Sequence, residues 1–419
     1  MTVGILYISY DGMLEPLGQS QVLSYLERLT PGRRIHLISF EKPADWRDQA
    51  RRKSVRQRIE AGGIQWHPLT YHKRPSAAAT AFDVAQGTAL ALTLAIRQHL
   101  SIVHARSYVP ALIALAVKQA TGARLLFDMR GLWADERVDG GLWPRNGTLY
   151  RMTKKLERRF LEAADHIVTL THASAAKIAT FSYLTGRDLS ISVIPTCADL
   201  DRFSIKRPLP QSPFTLGYVG SVGTWYLLDE MLTSFCMVAD EVPGARLLVV
   251  NRNEHDQIRD RANATGIDPA AIELLAADHA DVPAQIGRMT AAMAIIKPSY
   301  SKIASAPTKL AEYLGCGVPC LGNVGVGDME AILEGEKVGV ALGDFAEVPK
   351  RDAIRRLIAL TIDPAIQQRC RATALNLFSL DGGVEAYDAV YRGLAAMTGA
   401  HRTNSAISRP KTATSGTNS

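Results

Sequence analysis

Residues 295–323, IIKPSYSKIASAPTKLAEYLGCGVPCLGN, carry the densest set of groups able to handle a phosphate. A buried apolar run ends at Lys297, and a loop rich in Ser and Lys follows. Pro307 then stands where a helix opens, a position that suits its ring. The unpaired backbone N–H groups of a helix start, helped by the helix dipole, hold phosphate oxygens. Thr308 lies in that first turn, and Lys302 and Lys309 add positive charge close by. Glu312 falls about one turn further on, where a carboxylate accepts hydrogen bonds from ribose hydroxyls. The helix stops at Gly315-Cys316-Gly317, and VPCLGN reads as the next strand. Such a constellation stabilises negative charge as it grows on a leaving phosphate.

Three further segments bear polar groups just after strands. SYDGMLEPLGQSQVLSYL places Gly18 and Gln19 before an apolar-periodic helix. LLFDMRGLWADERVDGG ends a strand at Asp128, with Arg130, Trp133 and Asp135 in the loop beyond. GYVGSVGTWYLLDEM offers the backbone amides of Gly220, Ser221 and Gly223. Asp199-Leu200-Asp201 has the form of an acidic metal motif, but it sits in a Pro- and Ser-rich stretch, so no metal is assigned. Neither domain's first strand leads into Gly-x-Gly-x-x-Gly, which argues against a nicotinamide enzyme.

The elements that must position these groups alternate strand and helix. VGILYIS, RRIHLISF, GIQWHPL, SIVHARS, ARLLFDM, HIVTLT and ISVIP read as strands of a first parallel sheet. TLGYVGSV, ARLLVVN, IELLA, AMAIIKP, VPCLGN and GVAL read as a second series. The fold class is therefore α/β, with two doubly wound Rossmann-like domains facing across a cleft. We expect a first domain over 1–197, a linker over 198–213, a second domain over 214–378, a helix over 379–397 and a disordered polar tail over 398–419. Ligands of such sheets bind beyond the carboxyl ends of the strands.

The length of 419 residues suits two domains. Net charge is +7, unevenly spread: residues 1–200 hold 26 Lys and Arg against 17 Asp and Glu. A basic first half suits an anionic partner. Arg151, Lys154, Lys155, Arg158 and Arg159 recur on a helix with Leu149, Met152, Leu156 and Phe160. That pattern fits either a solvated face or a helix lying on an anionic membrane surface. With no recognition module in view, nucleic acid is not expected as a partner. The five cysteines lack disulfide or zinc spacing and fit a reducing cytosol. MTVGILYISYDG does not read as a signal peptide, and the apolar stretch Val84–Ile96 is short for a membrane span.

The pattern P-T-K-L-x-E-Y-x-x-x-G-x-P resembles the nucleotide-sugar site of family-4 glycosyltransferases. The resemblance extends to Pro16, Gly18 and Gln19, to DMRGLWADE, to IPTCADLDRF and to GYVGSVG. It implies a GT-B fold whose terminal helix crosses back to the first domain. It implies retaining hexosyl transfer from a UDP- or GDP-linked sugar to a glycan or lipid-linked acceptor, as in envelope or exopolysaccharide synthesis. No cofactor or metal is expected, and the leaving phosphate helps to deprotonate the acceptor. Gly18, Gln19, Gly220, Ser221, Lys297, Pro307, Thr308 and Glu312 are then donor-binding. Asp128, Lys302 and Lys309 are catalytic, and Arg130, Trp133 and Asp135 shape the acceptor pocket. The expected setting is cytoplasmic, on the inner face of the plasma membrane. The chain departs from the family at Ala304, where a glutamate is common, and at Ser221 and Tyr226, where cations are usual. A GT-B sugar-nucleotide epimerase and a non-catalytic nucleotide-sugar-binding protein are the competing readings.

Overall fold

A computed structural model describes residues 2–278 and 280–407, without the side chains of 76 and 398–407. The first sheet contains β1 (Val3–Ser9), β2 (Arg33–Glu41), β3 (Ile64–Thr70), β4 (Ile102–Arg106), β5 (Arg124–Asp128), β6 (His166–Thr169) and β7 (Ile191–Val193). The second contains β8 (Thr215–Val219), β9 (Arg246–Val250), β10 (Ile272–Leu275), β11 (Ala291–Met293), β12 (Cys320–Asn323) and β13 (Gly339–Leu342). Their orders are β3-β2-β1-β4-β5-β6-β7 and β10-β9-β8-β11-β12-β13. Every pairing is parallel. Parallel strands covered by helices on both faces need continuous apolar runs, which is why ARLLVV and VGILYI serve. One expectation shifts: the strand in AMAIIKP ends at Met293, not Lys297, and Ile296 makes only an isolated bridge with Tyr226.

Each sheet reverses its strand order at its first strand, so the loops after β1, β4, β8 and β11 border a crevice. The helical run from Pro16 to Leu29 follows β1 and contains a π-turn at Gln19–Leu23. Gly18 is required there: a Cβ would lie 2.1 Å from the Gly12 carbonyl oxygen.

The helices that matter here are α1 (Ser76–Arg97), α2 (Tyr108–Thr121), α3 (Trp133–Asp139), α4 (Thr148–Ala163), α5 (His172–Ala179), α6 (Thr308–Gly315) and α7 (Leu380–Ile407). By length and composition Ala77–Arg97 could span a membrane, a longer segment than Val84–Ile96. One side of α1 lies on the first domain, where Gly87 meets Phe40 and Ile113. Its buried Asp83 accepts a 2.8 Å hydrogen bond from Tyr10. The last helix runs beyond Met397 to Ile407, so 398–407 continue a helix; the rest of the expected tail, 408–419, lies outside the described residues.

The last helix crosses back onto the first domain. Tyr391 Oη lies 2.7 Å from His104 Nδ1, and Tyr387 donates to Asp128 at 2.9 Å. The two domains also meet on the opposite side of the crevice. Asp139 of α3 accepts from the Ser301 N–H at 2.9 Å. Asp328 accepts from the His172 and Ala173 N–H groups, at 2.7 and 3.0 Å, and so caps α5 from the other domain.

Candidate donor and acceptor sites

Two cavities lie in the crevice. The smaller, about 440 Å³, is lined by Gln19, Thr308 and Glu312 together with Arg58, Arg202 and Arg252. The larger, about 1010 Å³, opens mainly in the first domain and includes Arg106, Ser107, Arg130 and Trp133. Thr308 and Gln21 line both, so the cavities meet at the start of α6.

Lys309 follows Thr308 and is buried in an aromatic box. Its Nζ lies 2.9 Å from Tyr218 Oη and 3.5 Å from the centroid of the Tyr226 ring. Gly220, at φ +125°, makes room: a Cβ there would stand 3.1 Å from that amine. Burial pulls the Lys309 amine down to about 7, with Glu312 opposing the shift. The box explains part of the departure at Tyr226. An aromatic face replaces the usual cation and holds the charge of Lys309 instead.

Lys302 behaves otherwise. Its amine pairs with Glu136 of α3 at 2.9 Å and lies 3.7 Å from the centroid of the Trp225 ring. The expectation that it meets a phosphate is corrected, because it fastens one domain to the other. Lys297 is exposed, with Nζ 3.5 Å from the Asp139 carbonyl oxygen. Pro307 is the N-cap of α6 rather than its first residue. Ser221 is exposed, and its carbonyl accepts from Tyr218 Oη. Ala304 is buried in the first domain's apolar cluster, so a glutamate at that position would be desolvated.

Asp128 is wholly buried and lines neither cavity. Besides Tyr387, it faces His104 Nε2 at 3.6 Å, Arg106 Nη1 at 3.7 Å and Arg130 Nη1 at 3.8 Å. Burial raises its carboxyl, but Arg130, His104 and Arg106 outweigh that and hold it below the ordinary carboxylate range. Asp128 thus positions the two arginines that reach the cavity, which corrects its assignment as a reacting group. Asp135 likewise turns away, accepting from Tyr150 and from Lys154, each at 2.9 Å. That contact draws Lys154 inward, so it leaves the basic face that Arg151, Lys155, Arg158 and Arg159 still present.

Arg106, Arg202 and Arg252 were not singled out in the sequence. Arg106 and Arg252 follow strand ends in HARS and VVNRN, the same signal that marked Asp128. Arg202 had no such signal: it stands in the turn closed by Phe203 N–H to Asp199 carbonyl at 2.9 Å. Two non-glycine residues in the cavity wall, Ser107 and Arg130, have φ of +73° and +56°. Backbone held in sparsely populated regions at neighbouring strand ends is a mark of a functional site.

Comparison with known proteins agrees with this geometry. Residues 22–196 match the family model described as a glycosyl transferase 4-like domain. That match lies within the first domain. No curated protein matches the chain. Among solved structures, sucrose-phosphate synthase from Thermosynechococcus elongatus is similar over 94% of this chain and 100% of its own, at 14% identity and a TM-score of 0.71. HepE from Anabaena, in complex with UDP and glucose, is similar over 93% and 100%, at 13% identity and a TM-score of 0.61. The apo lipopolysaccharide outer core galactosyltransferase WaaB is similar over 93% and 100%, at 14% identity and a TM-score of 0.63. The whole chain therefore has the GT-B fold, with the first domain contributing Arg106, Arg130 and Trp133 and the second domain contributing α6.

Proposed function

We propose that this chain is a retaining glycosyltransferase that moves a hexose from a UDP- or GDP-linked donor to an envelope or exopolysaccharide acceptor. The observation that carries the reading is the meeting of two cavities at Thr308 and Gln21. A donor in the smaller cavity would place its sugar where Thr308 and Gln21 join it to the larger one. A separate acceptor chamber favours transfer over epimerisation, which needs no second substrate. HepE, which shares the fold, has been seen with UDP and with UDP-glucose.

In the reaction, the bond between the anomeric carbon and the diphosphate oxygen breaks, and an acceptor oxygen forms the new bond on the same face. The acceptor proton passes to the departing phosphate. The N–H groups at the start of α6 and the Lys309 amine stabilise that phosphate as its charge grows. Glu312 accepts from the ribose. Arg130 and Trp133 hold the acceptor. No metal is invoked, so activity should survive EDTA. The enzyme would work at the cytoplasmic face of the plasma membrane, with the exposed Arg151, Lys155, Arg158 and Arg159 toward anionic lipid.

A panel of UDP- and GDP-hexoses, scored by released nucleotide, tests the reading. One donor should release UDP or GDP slowly alone and faster when acceptor is added. Epimerised free donor without transfer would point to the other enzyme class, and failure of every nucleotide sugar to bind would end both.

A further inference from the structure

The larger cavity is amphiphilic along its length. Part of its lining is polar and cationic. Arg106 and Arg130 reach it; Asp128 faces both at 3.7 and 3.8 Å, and Arg106 also donates to Asp11 at 3.4 Å. Another part of its lining is apolar, with Leu112, Leu156 and Phe160. At the mouth stand Leu142, Leu149 and Met152, which are 64%, 51% and 55% exposed. A soluble protein does not usually gather large exposed apolar side chains around one opening unless something covers them. Arg151, Lys155 and Arg159 are exposed on the same helix, α4.

We infer that the acceptor is a lipid phosphate: an aliphatic chain lying over Leu142, Leu149 and Met152, joined to a phosphate or diphosphate held by Arg130 and Arg106. This rests on the transferase reading and narrows its acceptor. The arginine fork matches phosphate oxygens, and Asp128 keeps both guanidinium groups aimed into the chamber. An apolar mouth strips water from the chain, at about 0.8 kcal/mol for each methylene buried. The basic residues of α4 bring that mouth to an anionic bilayer, where such an acceptor resides. A water-soluble glycan would leave the three apolar side chains exposed.

Trp133 and Trp143 line the chamber and report its occupancy by fluorescence. The full chain is titrated, below micelle-forming concentrations, with farnesyl diphosphate, isopentenyl diphosphate, inorganic diphosphate and farnesol. UDP is titrated separately. Farnesyl diphosphate should bind at least about tenfold tighter than isopentenyl diphosphate, since burial of only two methylenes gives that factor, and tighter than farnesol, which lacks the diphosphate that the arginines hold. The double variant L149D/M152D should remove the advantage of the longer chain, with an unchanged melting temperature showing that it folds. R130A should weaken both diphosphates while leaving farnesol unaffected. Equal affinity for the long and short diphosphates, or equal affinity for farnesol and farnesyl diphosphate, would overturn the inference. If UDP binds while no prenyl compound does, the acceptor assignment alone falls. If UDP also fails to bind, the transferase reading falls with it.

Discussion

Replacing Lys309 with methionine should lower kcat/KM for the donor by about 10²–10³-fold, the scale on which single charge-stabilising donors act. The amine is buried between Tyr218 and Tyr226, beside the start of α6. Its environment holds it near neutrality, with a value of about 7 instead of 10.5. A diphosphate arriving at α6 makes the protonated form favourable again. Donor binding at pH 8 should therefore take up protons. Calorimetry with UDP in two buffers of different ionisation enthalpy checks this: the apparent heat should differ between them in the wild type and agree in K309M. The stability effect has a defined sign. Between about 7 and 10.5 the unfolded chain binds this proton and the folded chain does not, so the amine makes stability rise with pH across that window. Methionine removes that slope. A loss of turnover without loss of folding at pH 7 separates the role of Lys309 in charge stabilisation from a structural one. Buffer-independent heats, or near-normal turnover in K309M, would remove it from the mechanism.

The second large effect is structural. Asp128→Ala should cost about 3–5 kcal/mol, the usual result of removing one partner from a buried ionic cluster. The carboxylate is wholly buried and serves Tyr387, His104, Arg106 and Arg130 together. Without it, the guanidinium groups of buried Arg106 and half-buried Arg130 lose compensation and α7 loses one of its bonds to the first domain. Chemical denaturation at pH 7 measures the cost. The Asp128 carboxyl sits below 3.8 in the folded chain, so its contribution is present above that value and is lost as pH falls through the folded value. The difference between wild type and D128A should narrow in strong acid. Destabilisation under about 1 kcal/mol would show that the cluster has no such weight.

These two residues show what the sequence revealed and what it hid. All thirteen strands were legible because each is a short apolar run between turn signals, and parallel order follows from the helices between them. The start of α6 was legible for the same reason: a proline, a strand before it and lysines nearby. The partners of those lysines were not. Whether an amine meets a phosphate, a carboxylate or a ring depends on the other domain. Lys302 found Glu136 and Trp225, both far earlier in the chain. Lys309 found Tyr218 and Tyr226. Asp128 ends a strand at the crevice, as read, but the returning α7 places Tyr387 over it, and no local pattern announces that. Asp135 reads as part of a loop at the acceptor pocket and Lys154 as part of a basic helix face, yet the two meet each other. Strand-end position identified the right loops, then, while the direction of each side chain was decided by tertiary contacts.

The most direct test of the account is the position of a nucleoside diphosphate in crystals of the full chain soaked with UDP or GDP. The diphosphate should lie against the backbone N–H groups at Thr308 and Lys309, with the ribose hydroxyls on Glu312 and the terminal phosphate facing the larger cavity. A nucleotide bound elsewhere, or a crevice that stays without nucleotide at millimolar concentration, would contradict it.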